Sequence, residues 1–193
     1  MSPAGGDFSE PITQNSLRLA GAFWGLDTAL ARQRHYPAIN WTRSFSQYDV
    51  VGWFDAEVAP DWSTLRSWAL ALLQQEGSLT DVVQLLGVEA LAPEQRVVLR
   101  TGRLLREVFL QQSSFDERDA SCPPAKSLAM LRVLHETHAA MTEALTRGAD
   151  PATLATTPVL GELAGMKQWS VEQAAAEAAA LAARMRTALE GTR

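Results

Sequence analysis

Apolar residues recur at helical spacing along most of the chain after residue 46. In residues 94–112, Leu104, Leu105 and Val108 follow Val97 by seven, eight and eleven positions. In a helix this spacing places all four side chains on one face. The same pattern predicts helices over residues 47–58, 62–75, 79–86, 94–112, 125–147 and 171–189, with a short helix after Pro151.

Capping residues and helix breakers set the predicted ends of these helices. Asp61, Ser78 and Ser170 are residue types preferred at N-caps. Gly77 and Gly148 are residue types that end helices. Gly77 followed by Ser78 therefore predicts a break between the helices 62–75 and 79–86.

The first 45 residues follow a different pattern. The apolar run 22–26 before Asp27 predicts a buried strand, with Asp27 as the N-cap of a short helix over residues 28–34. Pro37 disfavours a helical conformation at Tyr36, so the chain is predicted to leave this helix in an extended segment.

Together these patterns predict a mostly α protein. A helical domain, organised as a helix bundle, is expected in residues 46–193, and a small α/β portion in residues 1–45. Residues 2–11 are rich in Gly, Pro and Ser and indicate a loop, followed by a short helix over 14–21. Because the chain begins in a predicted loop, it is expected to be a fragment of a longer protein.

Composition excludes several classes of protein. The chain has 193 residues, 47% of them apolar, which is enough to fill a core. The net charge is −5 and Lys and Arg do not cluster, which argues against nucleic-acid binding. The single cysteine, Cys122, allows no intrachain disulfide and fits a reducing compartment. No apolar run reaches the ~18 residues of a membrane span.

The chain carries no catalytic motif. It has neither the P-loop pattern that cradles phosphates nor the G-x-S-x-G of a nucleophile elbow. His135 and His138 are three positions apart on a predicted helix, whereas zinc proteases place two histidines four apart. His138 also shares a stripe with Leu134 and Met141, so helix packing is favoured over a metal site. No catalytic and no metal-binding residue is predicted.

Three aromatic residues have two interpretations. Tyr36 stands on a stiff Tyr-Pro step, and Phe109 and Phe115 flank a predicted helix end and loop. A rigid exposed ring can stack on a flat ligand, but spacing alone favours packing in the core. Residues 87–94, between two predicted helices, are interpreted as an exposed polar connector with two acids.

Several longer stretches resemble the catalytic A subunits of V-type and A/V-type rotary ATPases. The stretches are GGDFSEPITQ at 5–14, RHYPAINW at 34–41, FWGLD at 23–27, FLQQSSF at 109–115 and SCPP at 121–124. The first two are the most specific, and the similarity extends from Ser2 to about Lys167.

The resemblance implies a division of the chain and two sites. Residues 1–45 would be the C-terminal edge of a P-loop nucleotide-binding domain, with the P-loop, the catalytic Glu and the Mg²⁺ ligands lying upstream of this chain. In the related F-type enzymes, a Tyr before Pro-Ala and two Phe six apart build the adenine pocket. By that likeness the nucleotide-binding residues here would be Tyr36, Phe115 and Phe109, and the rotor-contact residues would be Glu89, Ala90, Leu91, Ala92, Pro93 and Glu94.

The resemblance also implies a function: ATP turnover coupled to proton or sodium transport. It implies ATP or ADP with Mg²⁺ in the full-length protein, non-catalytic B subunits in an alternating hexamer, and central stalk subunits. Contact with the membrane would be indirect, from its cytoplasmic side. The chain alone is expected to be inactive in ATP hydrolysis, because it has no P-loop. The alternative is a stand-alone helical protein-interaction module without nucleotide chemistry.

Overall fold

The chain is mostly helical, as predicted, with a small sheet near its N-terminus. The computed structural model describes Pro11, Asn15 and residues 18–192. Residues 14, 16 and 17 of the predicted helix at 14–21 lie outside these residues, as does the GGDFSEP stretch apart from Pro11. The helices are α1 (Thr28–Arg32), α2 (Val50–Glu57), α3 (Trp62–Leu86), α4 (Pro93–Leu104), α5 (Pro124–Thr146), α6 (Pro151–Thr156) and α7 (Ala174–Glu190); the strands are β1 (Ala22–Leu26) and β2 (Ile39–Ser46).

The sheet consists of β1 and β2, which pair antiparallel, with Leu26 opposite Ile39. The predicted strand at 22–26 is confirmed, but its predicted burial is wrong. Trp24 and Leu26 are 73% and 77% exposed. The physical reason is that, among the described residues, β1 has one neighbouring strand and one sheet face packed, so alternate side chains point to solvent.

Asp27 caps α1 as predicted. Its Oδ1 accepts hydrogen bonds from the N–H groups of Ala29 at 2.8 Å and Leu30 at 3.3 Å. Asn40 Nδ2 donates to the other carboxylate oxygen at 2.8 Å. Burial raises the pKa of Asp27, but these hydrogen bonds, with the charge of Arg43, outweigh it and leave the pKa below its ordinary value.

The predicted break at Gly77 and Ser78 is wrong, because α3 continues from Trp62 to Leu86. Ser78 does not cap a new helix; its hydroxyl donates back to the carbonyl of Gln74 at 3.3 Å. The helix ends at Gly87, whose φ of +82° suits a residue without a side chain. Asp61 precedes α3 without a capping bond and instead pairs with Arg132 at 2.6 Å.

Two other segments differ from the prediction. Residues Pro158–Gln168 form a 3-10 helix that the sequence pattern did not indicate. The last helix begins at Ala174 rather than residue 171, and Val171 is 41% exposed instead of joining the apolar stripe. The predicted cap at Ser170 is also wrong, because Gln173 occupies the N-cap position of this helix. The Ser170 hydroxyl instead accepts a hydrogen bond from the N–H of Gln173 at 3.3 Å, within the turn that precedes the helix.

Helix α5 runs through the core and packs most extensively against α7. Its Leu134, Met141 and Ala144 are fully buried, and α7 contributes Met185 and Leu189 to the same cluster. No helix in the described part of the chain is long and apolar enough to cross a membrane.

Helices α3 and α4 approach closely where Gly102 faces Glu76. A β-carbon at Gly102 would lie 2.6 Å from the side chain of Glu76. Glu76 is buried, and its carboxylate pairs with the guanidinium of Arg106 at 2.7 Å. This ion pair ties α3 to the segment that follows α4, from which the chain enters the candidate site.

Candidate functional site

The segment around Tyr36 is tied to the segment that follows α4. The N–H of Gln112 donates to the carbonyl of Tyr36 at 2.8 Å. The amide of Gln111 reaches the carbonyl of Arg34 at 3.4 Å, and Nε2 of His35 donates to the carbonyl of Arg106 at 3.1 Å. These bonds bring together two regions that are far apart in sequence.

The three aromatic residues differ in burial. Tyr36 is 54% exposed and Phe115 is 100% exposed, whereas Phe109 is partly buried against the hydrophobic core. Core packing, which spacing alone favoured, is therefore wrong for Phe115 and for much of Tyr36. It is correct for part of the Phe109 ring.

Phe109 lies in an unusual helical segment. Residues Leu105–Leu110 continue α4 as a π-helix, and the N–H of Gln111 closes it by donating to the carbonyl of Arg106 at 2.9 Å. A π-helical turn inserts an extra residue into the helix and is frequent at functional sites. Here it lies directly before the loop that carries Phe115.

Phe115 lies in a loop, residues 111–119, that we call the Phe115 loop. Asp119 is buried, and its carboxylate accepts a hydrogen bond from the N–H of Ser113 at 2.7 Å. Gln112 Nε2 donates to the carbonyl of Asp119 at 3.1 Å. The loop is thus closed on itself under a ring that points to solvent.

Asp116 is the carboxylate next to the exposed ring. Gln168 Nε2 donates to it at 2.6 Å, and the N–H of Arg118 donates to its other oxygen at 2.9 Å. These hydrogen bonds lower the pKa of Asp116 below its ordinary value, because they stabilise the charged carboxylate.

The connector at residues 87–94 is exposed except for one residue. Leu91 is buried and anchors the connector from inside, so the outer surface consists of the other residues. Arg96 holds the connector in shape, since its guanidinium pairs with the Glu89 carboxylate at 2.9 Å and donates to the carbonyls of Glu89 and Leu91. Pairing with Arg96 neutralises one of the two acids of the connector.

The two helical histidines pack as predicted. The His135 ring meets Trp68 edge-on at 4.8 Å, and Nδ1 of His138 lies 3.1 Å from the Thr101 hydroxyl. Among residues 18–192 with Pro11 and Asn15, no three His, Cys, Asp or Glu side chains are grouped to hold a metal ion.

A groove with a volume of about 860 Å³ lies between α2, α5 and α7. Alanines of α7 form much of its wall, and Trp53, Arg132 and Glu136 line its rim. None of the three candidate aromatic residues lines this groove.

The residues that hold the Phe115 loop were not predicted from the sequence. Lys126 and Lys167 both donate to carbonyls of the loop, and Asp119, its last residue, closes it by accepting from Ser113. The sequence contained one indication that Lys126 and Lys167 are special, because they are the only two lysines in a chain with 15 arginines. Without the fold, nothing in the sequence connected them to residues 111–119.

Comparison with protein-family models gives two matches, which together cover most of the chain. Residues 51–149 match the C-terminal domain of V- and A-type ATP synthases. Residues 1–46 match the nucleotide-binding domain of the ATP synthase alpha/beta family.

Curated relatives are similar over most of this chain. The A subunit of the A-type ATP synthase of Methanococcus maripaludis is 47% identical over 169 residues, which is 86% of this chain and 29% of that relative. The corresponding protein of Pyrococcus horikoshii is 46% identical over 86% of this chain and 18% of its own length. That of a Desulfurococcus species is 44% identical over 86% of this chain and 29% of its own length.

The chain thus spans less than a third of the length of these relatives. The family model of the C-terminal domain alone covers just over half of the 193 residues. The chain therefore belongs to the family of V- and A-type ATP synthase C-terminal domains.

Proposed function

We propose that this chain is the C-terminal part of the catalytic A subunit of a V/A-type rotary ATP synthase. In that protein, residues 1–45 would be the edge of the nucleotide-binding domain and residues 46–193 the helical domain. The whole enzyme would couple ATP synthesis or hydrolysis to proton or sodium transport. The identities of its relatives and the two family matches support the assignment.

The chain would supply the adenine side of the nucleotide site. One observation carries this proposal: the N–H of Gln112 bonds to the carbonyl of Tyr36, which brings the Tyr36 segment to the start of the Phe115 loop. Tyr36 and Phe115 expose their rings, and base–aromatic stacking of the kind these rings allow is worth ~1–3 kcal/mol per base. Phe109, partly buried, would support the pocket from the core side.

Stacking of this kind binds a nucleotide but performs no chemistry on it. ATP or ADP would bring Mg²⁺ in the full-length protein, where the ion shields phosphate charge. The part of this chain's own residues would be to bind and orient the base.

The helical domain would act as a lever that meets the central stalk through its connector. Glu89, Ala90, Ala92, Pro93 and Glu94 form the outer surface there, with Leu91 as the internal anchor. Arg96 holds this surface in one shape, which suits a part that transmits force. Non-catalytic B subunits would flank it in a hexamer, peripheral to the membrane on its cytoplasmic side.

An adenine photoprobe tests the proposed function on the purified chain. The chain has two tyrosines, Tyr36 and Tyr48, and both are exposed. Illumination with an azidoadenine nucleotide should label Tyr36, excess ADP should prevent the labelling, and Tyr48 should stay unlabelled as a matched control. Equal labelling of both tyrosines, insensitive to ADP, would contradict an adenine site and favour the interaction-module alternative.

A further inference from the structure

Both lysines of the chain end in the same place. Lys126 lies in the first turn of α5 and Lys167 near the end of the 3-10 helix Pro158–Gln168, so they come from two different elements. Each ammonium group nevertheless donates to a backbone carbonyl of the Phe115 loop. In a chain with 15 arginines, the two compact ammonium groups thus converge on one short segment.

Lys126 is a buried cation that bonds to backbone carbonyls. Its side chain is only 2% exposed, and its Nζ donates to the carbonyls of Arg118 at 2.8 Å and Lys167 at 2.6 Å. Burying an ammonium group costs free energy unless hydrogen bonds compensate it. An ammonium group has three rotatable donors on a flexible four-carbon stem, so it can reach two carbonyls from different segments at once.

Lys167 holds the beginning of the loop. Its Nζ donates to the carbonyl of Gln111 at 2.7 Å and lies 3.6 Å from the Asp119 carboxylate. That carboxylate in turn binds the N–H of Ser113. Lys167 is therefore bonded to the residue next to Gln112, whose N–H binds the carbonyl of Tyr36.

Further bonds attach the loop on the other side of Phe115. Gln168 binds Asp116 through its amide, and the Arg118 guanidinium donates to the carbonyl of Gln168 at 3.1 Å. The backbone is thus fixed before and after a ring that is fully exposed. The position of Phe115 therefore depends on this backbone.

We propose that Lys126 and Lys167 are positioning residues that hold the Phe115 loop, and through Gln112 the Tyr36 segment, in the geometry that receives an adenine base. The proposal rests on the proposed function, since it assigns the base to these rings. Holding the loop in place before the ligand arrives lowers the ordering cost of binding. The lysines would not touch the nucleotide.

Two measurements on the purified 193-residue chain test this proposal. The first is amide hydrogen exchange at Ser113, compared with amides of α7. The second is an NMR titration with AMP, followed at the Tyr36 and Phe115 rings, with ribose 5-phosphate as a probe that lacks the base. The variants are Lys167→Met, Lys167→Arg and Lys126→Met, and Arg184→Met is a matched control that removes a cation paired with Glu162 outside the loop.

Lys167→Met should speed exchange at Ser113 by about tenfold while α7 is unchanged, as expected for local opening. It should also raise the Kd for AMP roughly fivefold, the lower end of a lost stack. Lys167→Arg should recover part of both effects, and Arg184→Met should show neither. Because Lys167 is partly exposed, we expect Lys167→Met to fold. The proposal can therefore be tested with Lys167→Met even if Lys126→Met does not fold.

The outcomes separate the two proposals. Unchanged exchange at Ser113 in Lys167→Met would overturn the positioning role. Faster exchange with an unchanged Kd for AMP would also overturn it, because the loop geometry would then not matter to the base. If the unaltered chain shows no AMP shift at either ring, or the same shift with ribose 5-phosphate, the adenine site itself fails, whatever the exchange rates are.

Discussion

The N–H of Gln112 donates to the carbonyl of Tyr36 at 2.8 Å, across 76 positions of sequence. This bond joins the N-terminal α/β portion to the end of the π-helix that continues α4. The proposed adenine site consists of residues at or near the two ends of this bond, Tyr36 on one side and Phe115 on the other. The bond therefore links the segment matched by the nucleotide-binding family model to the segment matched by the C-terminal domain model.

The exposure of Phe115 gives a clear expectation for Phe115→Ala. Because the ring is fully exposed, its removal should leave the free energy of unfolding within about 0.5 kcal/mol of the original. Nucleotide affinity should fall by roughly 1–3 kcal/mol, the scale of one lost stack. Thermal unfolding and a nucleotide titration on the one variant measure both quantities.

Phe109→Ala is the matched comparison, because Phe109 packs partly against the core. Phe109→Ala should lower the free energy of unfolding by part of the ~3–5 kcal/mol that truncation of a fully buried Phe costs. If Phe115→Ala were the more destabilising of the two, the surface position of the Phe115 ring would be wrong.

Removing one partner of the ion pair between Glu76 and Arg106 should destabilise the chain. Glu76→Ala leaves the guanidinium of Arg106 without its carboxylate, and losing one partner of a buried pair costs up to about 3–5 kcal/mol. The loss should be smaller here, since the Arg106 side chain is 22% exposed. Chemical denaturation measures it, and Glu143→Gln, which breaks an exposed pair with Arg147, should change stability by well under ~1 kcal/mol.

His138 should make stability depend on pH. Burial lowers the pKa of His138 below its ordinary value, and the nearby His135 adds to the effect. The unfolded chain therefore binds the proton more readily, and folding loses stability as pH falls through the unfolded pKa of about 6.5. Denaturation between about pH 7.5 and about pH 5.5, which brackets that pKa, should show this loss in the unaltered chain.

His138→Gln should flatten that pH dependence, because it removes the group whose pKa changes on folding. The carboxylates with lowered pKa, among them Asp61 and Asp150, lose their contribution only at more acidic pH. An equally steep loss in His138→Gln over the same pH range would assign the effect to other groups.

Local pattern controlled the features that could be predicted from the sequence. The stripe of α4 and the cap of α1 at Asp27 depend on neighbours within a few residues, and the structure confirms both. The candidate site could not be predicted from local pattern. The N–H that binds the Tyr36 carbonyl belongs to a residue far away in sequence, and the residues around Lys126 give no indication that it is buried. Likewise, the exposure of β1 depends on how many strands flank it, which no local pattern records.

Gly77 is the clearest case in which tertiary packing outweighs a local signal. A glycine followed by serine is a typical helix end, yet Leu72, Leu73 and Glu76 are buried in the same helix and hold it continuous. The packing of α3 against its neighbours exceeds the ~1 kcal/mol that a glycine costs inside a helix.

The two helical glycines Gly77 and Gly102 should therefore respond in opposite directions to the same change. Gly77 is exposed and has no atom within 4 Å of an added β-carbon, so Gly77→Ala should stabilise the chain by roughly 0.5–1 kcal/mol. At Gly102 the added carbon would lie 2.6 Å from Glu76, so Gly102→Ala must push α3 and α4 apart and should destabilise by about 1–3 kcal/mol. Urea denaturation of both variants gives the two signs, and a destabilising Gly77→Ala would contradict the continuous helix α3.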